Sequence, residues 1–189
     1  MNPDLSILYF FNRALSAEWL DPVMIALTNV KVWVPVYIIA TVLVIYYKRW
    51  EGVRIVISTL VLIGLLNIAT NSFIKPLIAR ERPCAELSNG KHIVEWIRLP
   101  DGMRLGYSFP SSHAVNNFGG VLFFIFLFPR RKWLLWLLVP AAIVSFTRLY
   151  LGLHYPSDTF GGIIIGGVGG YCWAQLHRVL ETRLMVTNK

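Results

Sequence analysis

The sequence predicts an all-α membrane protein, a polytopic bundle of six transmembrane spans with the first one irregular, forming one domain over residues 1–189. Three observations carry that prediction. Hydrophobic residues make up 56% of the chain and charged residues only 15%, whereas a soluble domain carries about 25% charged residues to cover its apolar core. Apolar stretches approaching the roughly 20 residues that cross a hydrocarbon core of about 30 Å recur along the chain. The basic residues gather in connections that fall on one side of such a bundle. The same composition excludes a disordered chain, and two cysteines exclude a disulfide-stapled secreted scaffold. The net charge of +8 reads as positive-inside asymmetry, so membrane lipids and not nucleic acid are the expected partners.

The first span is placed at Leu5–Leu27, where Arg13, Glu18, Asp21 and Pro22 interrupt the apolar run. A helix near Leu5–Ala14 and a second piece from Asp21 are expected to make one irregular crossing. No basic segment precedes it and no small-residue cleavage site follows, so a removed signal peptide is not expected. The remaining spans are Val32–Tyr47, Ile55–Ile74, Ser112–Phe128, Trp133–Leu151 and Thr159–Leu176. Lys48, Arg49, Glu51 and Arg54 join spans two and three; Arg130, Arg131 and Lys132 join spans four and five. Arg178, Glu181, Arg183 and Lys189 follow span six. These connections share one side, and their nine cations against two anions make it cytoplasmic.

The opposite side carries the turn Leu151–Asp158 and a long segment, 75–110, well beyond the 12–15 residues of an ordinary connection. That segment is expected to cap a site. Its Pro100-Asp101-Gly102 turn lies between Ile97-Arg98-Leu99 and Met103-Arg104-Leu105, which predicts a small hairpin at the membrane surface. Trp96 and Tyr107 would seat it among headgroups, and Arg98 and Arg104 would meet a large one. Cys84 in this segment and Cys172 deep in span six are expected about 20 Å apart, too far for a disulfide. The glycine pairs of span six, at 161/162, 166/167 and 169/170, predict close helix packing. Asn67, Asn71, Asn116 and Asn117 are expected to bond between helices, with support of catalytic groups the second reading.

Three polar groups fall at the outer ends of spans three to six. The first runs Lys75-Pro-Leu-Ile-Ala-Arg-Glu-Arg82-Pro83, placing Lys75 and Arg82 on one face if the helix continues. The second, Pro110-Ser111-Ser112-His113, opens span four, where free backbone N–H groups favour an anion. The third runs from Arg148 to His154 and Asp158, with His154 and Asp158 one helical turn apart. Taken singly, each has an ordinary explanation: a snorkelling cation, a helix cap, a structural histidine such as His92 or His177. Together they place three cations, two histidines and a carboxylate on one surface, under a topology derived from other residues. Fixed cations with hydroxyl and N–H donors match phosphate. A histidine oriented by a carboxylate is a nucleophile, and a second histidine protonates a leaving oxygen. With no carboxylate cluster to hold magnesium, the expected chemistry is metal-independent and cofactor-free phosphoryl transfer through a phosphohistidine.

Lysine, six residues, Arg-Pro, then Pro-Ser-x-His, then Arg, five residues, His, three residues, Asp resembles the three signature motifs of the type-2 phosphatidic acid phosphatase superfamily. These are membrane lipid phosphatases, related in their site to glucose-6-phosphatase and the vanadium haloperoxidases. The resemblance covers Lys75 to Asp158 in its motifs and the whole chain in its layout. It implies His154 as nucleophile, Asp158 as its orienting partner and His113 as general acid. It implies Lys75, Arg82, Ser111 and Arg148 as the phosphate pocket, with Ser112 giving its backbone N–H. Ser112 stands where the family usually has glycine, and Thr147 where it usually has serine; both keep the groups the pocket needs.

The resulting expectation is a bacterial inner-membrane enzyme with its site facing the periplasm or cell exterior. Its substrate would be a lipid phosphate or diphosphate: undecaprenyl diphosphate, lipid A 1-phosphate or phosphatidylglycerol phosphate. A lipid phosphotransferase would use the same residues with a lipid hydroxyl in place of water. An anion transporter is disfavoured because its cations would lie near the midplane.

Overall fold

The computed structural model of the chain describes residues 2–85 and 92–187, the stretch 184–187 by its backbone alone. Its helices are α1 (Pro3–Tyr9), α2 (Asp21–Thr28), α3 (Val30–Lys48), α4 (Trp50–Ile68), α5 (Lys75–Ile78), α6 (Ser112–Leu127), α7 (Leu138–Tyr150) and α8 (Pro156–Thr187). A π-helical turn, Phe10–Ala14, extends α1; another, Ala69–Ile74, joins α4 to α5; and a 3-10 turn, Lys132–Leu137, leads into α7. No strand ladder forms among the described residues. Three continuous stretches, Val30–Lys48, Trp50–Ile78 and Lys132–Tyr150, are long and apolar enough to cross a membrane, and Ser112–Leu127 is a shorter apolar helix. The 32 residues of α8 reach about 48 Å at 1.5 Å per residue.

The packing centre is the pair α6 and α8. Val115 and Phe123 of α6 and Ala174 of α8 join Ile55, Leu62 and Leu66 of α4 in one buried cluster. Glycines make the approach possible. A Cβ on Gly162 would stand 2.8 Å from the Ser111 carbonyl oxygen, and one on Gly166 would collide with the Val115 carbonyl. Gly162, Gly166 and Gly170 recur every four residues, so α8 presents one small-residue face to α6. Side chains on α3, by contrast, are nowhere buried, as suits a helix facing lipid.

The N-terminal segment departs from its expected role. Its two pieces lie close to where they were placed, but they are too short to cross, and they lie across the end of the bundle from which α6 and α8 start. Asp4 bonds Ser157 at the start of α8, and Tyr150 at the end of α7 bonds Ala17 and Asp21. Asn12, wholly buried, gives its amide to the Arg98 and Tyr150 carbonyls and accepts the Arg98 N–H. Arg13, Glu18, Asp21 and Pro22 explain the difference: a run with that much charge is satisfied at a surface and not in hydrocarbon. The chain then enters the bundle at α3, so residues 2–28 share an end with the described parts of the outer segment, 75–85 and 92–110.

Within that outer segment the Pro100–Gly102 turn forms, with the Gly102 N–H on the Leu99 carbonyl at 3.0 Å. The flanking residues do not pair as a hairpin. Arg98 ion-pairs with Asp21 at 2.8 Å and is a strut for the N-terminal segment, while Arg104 pairs with Asp101 at 2.7 Å on the exposed surface. Trp96 packs edge-on against Tyr9. Cys84 is buried and Cys172 exposed, both as free thiols. The asparagines divide. Asn116 donates to the Asn67 side chain and Ser112 to that of Asn71, linking the α4 stretch to α6. Asn117 bonds the His113 carbonyl within its own helix. At the other end of the bundle Arg54 and Glu181 tie α4 to α8 by two bonds of 2.5 and 2.7 Å.

Candidate active site

Arg148 and His154 are brought together by the way α7 ends. The Leu153 N–H bonds the Arg148 carbonyl and the Gly152 N–H bonds the Leu149 carbonyl, each at 3.0 Å, the paired bonds of a Schellman cap. Gly152 supplies the left-handed residue, φ 71°, and a Cβ there would stand 2.6 Å from the Arg98 carbonyl oxygen. The chain reverses on this cap, so His154 returns over the last turn of α7. Pro156 then opens α8 and Asp158 lies in its first turn.

Lys75 and Arg82 converge by a different route from the expected one. Helix α5 stops at Ile78, and Ala79 takes a left-handed conformation with φ 49°. For alanine that costs about 1–2 kcal/mol; it swings residues 80–82 out of the helix, so no shared helix face is involved. Arg82 is then buried, with Nε on the Gly106 carbonyl at 3.1 Å and Nη1 on the Leu153 carbonyl at 2.9 Å. Ser108 stitches the same segment down, donating its N–H to the Arg80 carbonyl at 2.7 Å and its hydroxyl to the Glu81 carbonyl at 3.0 Å.

The imidazole of His154 sits between the cations and the carboxylate. Arg82 Nη1 lies 3.0 Å from Nε2, and Asp158 Oδ2 lies 3.5 Å from Nδ1. A guanidinium has no lone pair to give, so Nε2 is the acceptor and Nδ1 carries the proton toward Asp158. That separation exceeds a hydrogen bond, and such contacts commonly shorten when substrate arrives. Burial, then the charges of Arg82, Arg148 and Lys75, push the His154 imidazole well below its ordinary range. His113, at the start of α6, faces Arg148, His154, Lys75 and the Thr28 backbone. Ser111 anchors this corner, its N–H on the Asp158 backbone carbonyl at 3.0 Å.

All the expected groups therefore converge except one side chain: the Ser112 hydroxyl turns away to Asn71 at 3.0 Å, which leaves Ser112 its place at the helix start. Ser111 Oγ, Arg148 Nε and His154 Nδ1 are buried without a hydrogen-bond partner, at about 1–3 kcal/mol for each such group. The Ser111 hydroxyl and Arg148 Nε, unpaired beside fixed cations, suit a tetrahedral oxyanion, while His154 Nδ1 faces Asp158. Among the described residues no three His, Cys, Asp or Glu side chains gather as metal ligands do.

Three contributors were not visible in the motifs. Thr28, the last residue of α2, accepts from Arg148 Nη1 at 2.7 Å. Arg80 donates to Asp158 Oδ1 at 2.8 Å, and Asp4 holds Arg80 at 2.8 Å. Arg80 stood inside the first motif, and its position two residues before Arg82 was the one available signal. No spacing links Asp4 or Thr28 to residues so far along the chain.

Comparison with known proteins adds an independent line. The family model described as PAP2 superfamily matches residues 55–181. A lipid A 4′-phosphatase of Bacteroides thetaiotaomicron is 40% identical over 187 residues, 96% of this chain and 80% of that protein. An undecaprenyl-diphosphatase of Sulfolobus acidocaldarius is 30% identical over 135 residues, 71% of this chain and 58% of that one. The crystal structure of a transmembrane PAP2 type phosphatidylglycerolphosphate phosphatase from Bacillus subtilis shares the fold with a TM-score of 0.65. That likeness covers 94% of this chain and 88% of the other at 23% identity.

Proposed function

The chain belongs to the PAP2 superfamily, and from that premise we propose that it hydrolyses the phosphate of a lipid phosphate at the outer face of a bacterial inner membrane, through a phosphohistidine on His154. The carrying observation is the His154 imidazole, its Nε2 lone pair turned to Arg82 and its Nδ1 to Asp158. A substrate phosphate entering this site takes the guanidinium of Arg82 for one of its oxygens and uncovers Nε2. Nε2 then attacks phosphorus in line and the P–O bond to the lipid breaks. His113 gives its proton to the departing oxygen, while Lys75, Arg82, Arg148 and Ser111 hold the equatorial oxygens. Asp158 holds the imidazolium character that develops on His154. In the second step His113 takes a proton from water, the water oxygen attacks phosphorus, and the N–P bond breaks to release phosphate.

The domain reading is one phosphatase unit over residues 1–189, with 75–110 capping the site. Outward orientation is supported by the basic connections at the opposite end of the bundle. The 40% identity to a lipid A 4′-phosphatase supports a phosphorylated saccharolipid as the first substrate to try, and the undecaprenyl-diphosphatase relative supports a prenyl diphosphate as the second. The test is a side-by-side assay of purified protein on lipid A bearing 4′- and 1-phosphates, undecaprenyl diphosphate and phosphatidylglycerol phosphate. Free phosphate together with loss of one phosphate mass from lipid A is the expected result. Absence of phosphate release from every member of the panel would refute the reading.

The low-lying imidazole adds a pH prediction. A histidine ordinarily titrates near 6.5, and burial with three cations moves His154 below that. Its attacking, neutral form is therefore kept as pH falls past about 6.5. Corrected for titration of the substrate phosphate, the acid limb of kcat/KM that belongs to the nucleophile should lie below that region, the basic limb being that of the proton donor His113. An acid limb at or above an ordinary histidine value would contradict it. Folding follows the same sign: the unfolded histidine takes its proton first, so stability is lost as pH falls below its unfolded value.

A further inference from the structure

The Asp158 carboxylate faces two ways, and only one of them is toward His154. Its Oδ2 accepts the Tyr155 N–H at 2.8 Å while lying toward Nδ1. Its Oδ1 accepts from Arg80 Nη1, also at 2.8 Å. The same Nη1 donates to the Ser157 hydroxyl at 2.6 Å. On the far side, Arg80 Nη2 donates to Asp4 Oδ2 at 2.8 Å, and Asp4 Oδ1 accepts the Ser157 N–H at 2.9 Å. The guanidinium lies over the Tyr155 ring, 4.1 Å from its centre. Arg80 is thus fixed in position and orientation by one aromatic face, two carboxylates and a hydroxyl, supplied by α1 and by the turn that carries His154.

From this geometry we infer that Arg80 is a positioning residue, which with Asp4 of the N-terminal helix holds Asp158 in the orientation that steers the His154 imidazole. The inference rests on the phosphohistidine reading above. Arg80 touches no reacting atom in that scheme; its effect passes through the carboxylate. Without it, Asp158, which is wholly buried, keeps the Tyr155 N–H and the Ser108 side chain but loses the cation bonded to Oδ1, the contact that fixes the tilt of the carboxylate. Asp4 in turn neutralises the side of Arg80 facing away from the site, so the order is carboxylate, guanidinium, carboxylate, imidazole. This gives the short N-terminal helix a chemical task at the site. It also accounts for a part-buried ion pair in which the fixed geometry, more than net stability, is the gain.

A cleft of about 240 Å³ opens beside this network, lined by Asn2, Asp4, Leu5, Val94, Arg80 and Tyr155, and a small cation has room there. That permits a decisive experiment on the full-length protein in detergent: steady-state kinetics and vanadate inhibition for Arg80→Ala, alone and with tens of millimolar guanidinium chloride, beside Asp4→Asn and Arg80→Lys. A misplaced reacting group costs on the order of 100-fold, so Arg80→Ala should lose about that much kcat while the vanadate inhibition constant stays within about threefold. Guanidinium should restore a large part of the rate, Arg80→Lys should fall between, and Asp4→Asn should lose roughly tenfold. Undiminished kcat in Arg80→Ala, or a loss that guanidinium does not reverse and vanadate affinity shares, overturns the inference. Asp4→Asn tests it separately if the Arg80 variants do not fold, and undiminished kcat there overturns the two-residue arrangement. His154→Ala in the same series separates the two readings: if it is dead while Arg80→Ala is fully active, only the positioning role is lost, whereas an active His154→Ala removes the phosphohistidine itself.

Discussion

Replacing His154 with alanine is expected to remove about four to six orders of magnitude of turnover, the scale seen when a covalent nucleophile is deleted. The expectation follows from position. The imidazole is almost wholly buried, and it lies within the reach of Arg82, Arg148 and Lys75. The one available lone pair is on Nε2. Among the described residues, Ser111 has no partner at its hydroxyl to act as a base, and His113, which faces Arg148 and Lys75 as well, is the proton donor of the scheme. The alanine variant should still bind vanadate-sized anions, because the cations that hold the oxygens remain. Measurement of phosphate release with simultaneous anion binding separates loss of chemistry from loss of the pocket.

The second large effect is expected from Asp158→Asn, about three to four orders of magnitude in kcat, with little change in KM. The amide has nearly the size of the carboxylate and leaves the α8 first turn intact. It cannot stabilise positive charge on His154, and its NH₂ either opposes the Nδ1 proton or opposes Arg80. A carboxylate here also satisfies the Tyr155 N–H, so Asp158→Ala would add a buried unpaired donor to the catalytic defect. Asn is therefore the cleaner substitution, and a Michaelis constant raised in step with the loss in kcat would point to a damaged pocket instead.

Much of the site was legible because charge at membrane depth demands a reason. Lys75, Arg82, Ser111, His113, Arg148, His154 and Asp158 stand at the ends of apolar runs, in three short groups with fixed spacings. Those spacings also give the local geometry once each helix end is known. The fold was legible for a similar reason: four long apolar runs and a glycine-rich one have few alternatives to a helical bundle. What could not be read were relations between distant parts. Arg80 carries no role of its own inside the first motif, since nothing in the chain pairs it with Asp4. Arg98 looked like a headgroup contact until Asp21 claimed it. The polar breaks at Arg13 and Glu18 suit an irregular crossing equally well in sequence, because a segment lying across the end of a bundle has the same amphipathic composition. The position of Arg82 depended on Ala79 leaving the helix in a left-handed turn, for which alanine carries no signal.

The central claim is a covalent bond between phosphorus and His154, and the most direct measurement is to catch it. Protein incubated briefly with phosphorus-labelled substrate, quenched in alkaline denaturant and digested should carry label that is stable to base and released by mild acid. Mass spectrometry should locate the added phosphate on the peptide containing His154, and the label should be absent from the His154→Ala protein. Label on another residue, or full turnover by the wild-type enzyme with none trapped on His154 while the alanine variant keeps its rate, would contradict the account.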